Sequence, residues 1–117
     1  MPVKVLIVDD ESLDLFISKK ILSFQYEVSG FTSVDEAIGW AKENTFEAVL
    51  VDYYLTAGVT AGQVLKQLTS VKPKSYKAFV LSSFVGDEQI KELKKLGFDD
   101  VILKPLTIER FQEAIAK

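Results

Sequence analysis

VLIVDDE, residues 5–11, carries four apolar residues straight into three adjacent carboxylates, Asp9, Asp10 and Glu11. A short, unbroken apolar run of this kind suits a strand covered on both faces, as in a parallel sheet flanked by helices. The rest of the chain repeats the pattern. Apolar runs at Val3 to Val8, Tyr26 to Phe31, Glu47 to Val51, Lys77 to Leu81 and Asp100 to Leu103 alternate with segments of helical period. The alternation predicts an α/β fold with five parallel strands and five helices, doubly wound, in which the second and fifth strands are the edges.

The helical segments show apolar stripes that predict their sheet-facing sides. These are Leu13, Phe16, Ile17 and Ile21 in the first; Val34, Ala37, Ile38 and Ala41 in the second; and Val64, Leu65 and Leu68 in the third. Ile90, Leu93 and Leu96 mark the fourth, and Ile108, Phe111, Ala114 and Ile115 the fifth. Ser33, Asp87 and Thr107 stand where N-caps belong, and Gly97 follows Lys94 and Lys95 as a C-terminal stop.

Composition narrows the chemistry. The chain has 117 residues, 48% of them apolar and 26% charged, which suits one domain with its own core. A net charge of −3 with 14 dispersed basic residues argues against nucleic acid or an anionic membrane as partner. No apolar run approaches the roughly 20 residues of a membrane span, so the expected location is the cytoplasm. His and Cys are absent. This excludes zinc held by thiolate or imidazole, Cys nucleophiles, Ser-His-Asp catalysis and disulfides, leaving carboxylates, hydroxyls and amines.

Those groups fall at the carboxyl ends of the expected strands: Asp9 and Asp10 after the first, Asp52 after the third, Ser82 and Ser83 after the fourth, and Lys104 after the fifth. In the common strand order 2-1-3-4-5 the first and third strands are neighbours where the winding reverses and a crevice opens, so Asp9, Asp10 and Asp52 converge. Taken singly, each residue has an ordinary explanation as a helix-dipole carboxylate, a turn residue or a solvated charge. Together they place carboxylates, a hydroxyl and an ammonium at one edge, the equipment of phosphoryl transfer around an oxygen-ligated Mg²⁺.

The ordered set LIVDDE, VLVDYYL, VLSS and GFDDVILKP closely resembles the receiver domain of two-component response regulators, of the single-receiver chemotaxis type, across residues 1–117. The resemblance implies a flavodoxin-like fold with Asp52 as phosphoacceptor, taking its phosphoryl group from a histidine kinase or histidine phosphotransfer protein. It implies that Asp9, Asp10, Asp52 and the backbone carbonyl of Tyr54 serve Mg²⁺, and that Lys104 and Ser82 meet phosphoryl oxygens. The implied output is a downstream effector protein or domain, with self-phosphorylation and self-dephosphorylation as the only chemistry.

Two departures stand out. Val101 occupies the position of the family's mobile aromatic, and its stiff branched side chain has no ring to swing. After Asp52, Thr56 replaces a frequent Pro, and Gly62 comes two residues late, lengthening the loop. Tyr54 beside the acceptor is expected to restrict an attacking water.

Other readings share parts of this pattern. A receiver-shaped interaction module acting independently of phosphorylation is favoured by Val101 and the altered loop. A small Asp-nucleophile phosphatase would need a second Asp two residues after the first, where Tyr54 stands. A flavodoxin-like cofactor carrier would need a Ser/Thr/Gly-rich phosphate loop where the chain has DDES.

Overall fold

The computed structural model describes residues 3–55, 59–84 and 86–117. Its strands are β1 (Lys4–Val8), β2 (Glu27–Phe31), β3 (Ala48–Asp52), β4 (Lys77–Ser82) and β5 (Asp100–Leu103). They alternate with α1 (Ser12–Leu22), α2 (Val34–Glu43), α3 (Ala61–Val71), α4 (Asp87–Lys95) and α5 (Ile108–Ala116). The five strands form one parallel sheet in the order β2-β1-β3-β4-β5, as the sequence predicts.

The two-residue period of the strands builds two cores. Leu6, Val8, Val49, Val51, Ala78 and Val80 face α2, α3 and α4, where Ala37, Ala41, Val64, Leu65, Leu68 and Leu93 meet them. Val5, Ile7, Ala48, Leu50, Phe79 and Leu81 face the other side and bury Leu22 of α1 with Phe111 and Ala114 of α5. Every residue of β3 is buried, whereas β2 is half-exposed along its length, in keeping with its place at the edge.

Caps agree with the sequence at α2 and α5, where Ser33 and Thr107 accept from the backbone N–H of Glu36 (3.2 Å) and Arg110 (3.1 Å). At α4 the cap is Gly86 rather than Asp87. The Gln89 side chain accepts from the Gly86 N–H at 2.7 Å, which leaves Asp87 as the first helical residue, facing the positive end of the dipole. Gly97 ends α4 at φ 114°, a conformation natural only to glycine.

The stripe expected on α1 is corrected. Leu13 and Phe16 are 68% and 61% exposed and Ile17 is exposed with them; of that stripe only Ile21 packs on the core. The sheet-facing side is instead Leu15, Ser18 and Leu22, with Ser18 and Leu22 buried. This side lies close to β2: a Cβ on Gly30 would lie 2.7 Å from Leu15 Cδ1, so the Leu15 side chain occupies the space that Gly30 leaves. Leu96, assigned to the fourth stripe, follows the end of α4 and is exposed.

Candidate functional site

Strand parity brings the carboxylates together before any ligand is considered. Asp52 closes β3 on the face already occupied by Ala48 and Leu50, and Asp9 continues the series Val5, Ile7 of β1. Both side chains therefore turn toward the α1 and α5 layer, and both are buried, Asp9 completely and Asp52 to 3% exposure. Asp10, half-buried, joins them: one oxygen from each of Asp9, Asp10 and Asp52 lies within 4.8 Å of the others.

Backbone pairing fixes the frame. The Asp9 N–H donates to the Phe31 carbonyl (3.1 Å) and the Glu11 N–H donates to Asp9 Oδ1 (3.0 Å), so the chain turns into α1 with Asp9 clamped and Glu11 facing solvent. Lys104 follows β5 and stays paired, its N–H donating to the Ser82 carbonyl at 2.9 Å. Arg110 of α5 donates to the carbonyls of Leu103 (2.9 Å) and Pro105 (3.0 Å), tying down the residues on either side. From this base Lys104 Nζ reaches Asp52 Oδ1 and Asp14 Oδ2, each at 3.2 Å, and stands 4.0 Å from Asp9 Oδ2.

The electrostatics follow. Burial, partly countered by the Glu11 N–H and helped by the Asp52 charge, pushes the Asp9 carboxyl up from 3.8 to about 6. Burial pulls the Lys104 ammonium down, but the Asp52 charge and the hydrogen bonds to Asp52 and Asp14 outweigh it, and the net direction is upward. Asp9 Oδ2 is buried and accepts no hydrogen bond from the described residues. A carboxylate oxygen buried in that condition is costly unless a cation meets it. Mg²⁺ binds oxygen at about 2.1 Å, so opposite ligands stand about 4.2 Å apart, a spacing compatible with three oxygens that lie within 4.8 Å of one another. The donor set of carboxylates with no nitrogen or sulfur suits the same ion.

Ser82 is buried at the end of β4, but its hydroxyl is engaged with the loop that follows. It donates to the Phe84 carbonyl (2.9 Å) and accepts from the Phe84 N–H (3.2 Å). Tyr54 also serves that carbonyl, its hydroxyl donating at 3.3 Å, while its ring meets Tyr53 edge-on at 4.9 Å. A groove of about 1120 Å³ runs from these tyrosines between α3 and α4 to Leu96 and contains none of the three carboxylates. Val101 is half-buried against the core. Thr56 lies outside the described residues, as does the middle of its loop.

Asp14 was not among the expected site residues, and neither was Phe84. Asp14 had a signal that could have been used: it is four residues beyond Asp10, in the first turn of a helix that starts at the cluster.

The model of the response regulator receiver domain family matches residues 5–116. The chain is 28% identical over 116 residues to the transcriptional regulatory protein ZraR of Salmonella typhimurium, covering 98% of this chain and 26% of that protein. It thus spans about a quarter of the length of the curated relatives it matches. Among solved structures, a CheY-like receiver domain from Methanospirillum hungatei superposes with a TM-score of 0.82 at 24% identity, covering 99% of this chain and 95% of that one. A response regulator from Burkholderia pseudomallei, solved with a phosphorylated aspartic acid, a calcium ion and citrate, gives 0.84 at 23% identity, covering 97% of this chain and 66% of that one. At these identities the solved structures speak to the fold. The match of the family model over nearly the whole chain goes further: the protein belongs to the response regulator receiver domain family of two-component signalling, in which phosphorylation and Mg²⁺ are typical.

Proposed function

We propose that residues 1–117 form one receiver domain that accepts a phosphoryl group on Asp52 from a phosphohistidine of a histidine kinase or histidine phosphotransfer protein. The observation that carries this reading is the convergence of Asp9, Asp10 and Asp52 within 4.8 Å, with Lys104 at 3.2 Å from Asp52. An Asp52 carboxylate oxygen attacks phosphorus, the P–N bond breaks, and its electron pair leaves with the imidazole, which is neutral or takes a proton from solvent. Lys104 balances charge on the transferred oxygens as a point cation. Ser82 exchanges its Phe84 acceptor for a phosphoryl oxygen. Asp10, Asp52 and the Tyr54 backbone carbonyl would hold Mg²⁺ directly, and Asp9 would act through water. When bound, the ion offsets the repulsion between carboxylate and phosphoryl oxygens.

Water later attacks phosphorus and releases inorganic phosphate, so the modification is transient. Receiver domains are generally not classical enzymes, and this one processes only its own acyl phosphate. The phosphorylated domain presents an altered surface to an effector protein or domain in the cytoplasm, without direct contact to nucleic acid or membrane.

Incubation with acetyl phosphate and Mg²⁺, read by intact mass, tests the reading. One phosphoryl group on wild type and none on Asp52→Asn or in excess EDTA is the expected result. Modification that persists in Asp52→Asn overturns it. A second reading, an interaction module indifferent to phosphorylation, draws on Val101, which is packed into the core where the family's mobile ring belongs. It predicts no mass change and the same partner binding in wild type and Asp52→Asn.

A further inference from the structure

The Asp14 carboxylate competes with Asp52 for the same ammonium. Lys104 Nζ is 3.2 Å from an oxygen of each, although α1 and β3 contribute them from separate layers. An ammonium has three N–H donors and no preferred plane, so it shares itself between anions according to their charge and exposure. The two partners differ there. The Asp52 side chain is 4% exposed and that of Asp14 48%, so the Asp14 contact is screened by solvent and modest in strength while the Asp52 contact is nearly dry.

We propose that Asp14 is a positioning residue that holds Lys104 toward α1 in the unphosphorylated protein and slows transfer of a phosphoryl group to Asp52. This rests on the phosphoacceptor reading of Asp52. A phosphoryl group arriving there brings oxygens carrying nearly two negative charges. Lys104 must then turn from Asp14 to meet them. Until it does, the Asp14 carboxylate stands one ammonium away from the incoming anion and repels it. Both effects act in the same direction, and the second weakens with salt because Asp14 is half in solvent.

The experiment compares wild type, Asp14→Asn and Asp14→Glu for phosphorylation rate with acetyl phosphate at saturating Mg²⁺, and for Mg²⁺ affinity by calorimetry without phosphodonor. Asp14→Asn phosphorylates about two- to fivefold faster, the range of an exposed ion pair, and the gain shrinks in 1 M salt. The same variant binds Mg²⁺ about two- to fivefold more weakly, because a negative charge is gone and Lys104 leans further onto Asp52. Faster transfer with weaker metal binding is a combination that a loosened site does not give. Asp14→Glu restores charge and reach and returns both quantities toward wild type.

An Asp14→Asn rate equal to or below wild type overturns the proposal, as does an Asp14→Glu rate as high as that of Asp14→Asn. Wild type that takes no phosphoryl group defeats the reading of Asp52 and with it the effect on transfer. The hold of Asp14 on Lys104 is then judged by the calorimetry alone, where equal Mg²⁺ affinities refute it.

Discussion

Replacing Asp9 by Asn should stabilise the metal-free protein at neutral pH. Asp9 is buried without solvent contact, and that burial raises its carboxyl from 3.8 to about 6. The sign follows from linkage. Above about pH 6 the group is ionised in both folded and unfolded chains, and the cost of burying the charge is felt in full. Between pH 6 and pH 4 the folded chain takes up the proton first, so this group's contribution to stability rises as the pH falls. The full span corresponds to about 3 kcal/mol. Asn removes the charge and keeps an oxygen for the Glu11 N–H, which Asp9 Oδ1 now accepts at 3.0 Å. After allowance for imperfect packing of the amide, a gain of about 1–3 kcal/mol is expected in EDTA at pH 7, vanishing near pH 4. Urea denaturation of both proteins across that range measures it, and the difference between them cancels the carboxylates that lie away from the cluster. Added Mg²⁺ should narrow the gap, because it stabilises the charged wild-type cluster more. An Asn variant no more stable than wild type at pH 7 in EDTA, or a difference that does not change between pH 7 and pH 4, would refute the reasoning.

The corrected face of α1 can be tested by contrast: Leu22→Ala should cost about 2–5 kcal/mol in urea denaturation, whereas Phe16→Ser should stay within about 0.5 kcal/mol. Gly30→Ala should destabilise by at most about 1 kcal/mol, since its Cβ meets at 2.7 Å the movable end of the Leu15 side chain, and adding Leu15→Ala should remove that increment in a double-mutant cycle. Tyr54→Asn should shorten the lifetime of phosphorylated Asp52, because the Tyr54 side chain spans from the end of β3 to the Phe84 carbonyl beside the acceptor. An unchanged dephosphorylation rate, followed by intact mass, would remove that role.

The sheet was legible because β1, β3 and β4 are covered on both faces, and only a nearly continuous apolar run satisfies that environment. The carboxylate cluster was legible for a related reason: parallel strands deliver all their carboxyl ends to one edge, so position along the chain reads directly as position in space. The first helix resisted because α1 carries two stripes. The richer one, Leu13, Phe16 and Ile17, lost to Leu15, Ser18 and Leu22, a side whose Leu15 packs over Gly30 in another element. Asp14 left a trace, its place four residues beyond Asp10, but Phe84 left none. Their partners, Lys104 and the hydroxyls of Ser82 and Tyr54, are chosen by side-chain reach, and no spacing rule connects residues 14 and 104.

Those two residues also bear on how the domain would respond to the phosphorylation proposed for Asp52. Val101 is half-buried against the core and has no ring to swing inward, so an anion added at Asp52 would act first on the polar groups beside it. On one side is Lys104, shared with Asp14 of α1. On the other is the Ser82 hydroxyl, whose departure would leave the Phe84 carbonyl to Tyr54 alone. Each exchange swaps one hydrogen bond or exposed ion pair for another, a net change of about 1 kcal/mol, and hence a shift of about fivefold in the population of a loop or helix position. Two such shifts acting on different elements multiply to about 25-fold if they are independent. A graded response of that size, divided between α1 and the start of α4, is what these polar contacts can supply without a ring at residue 101.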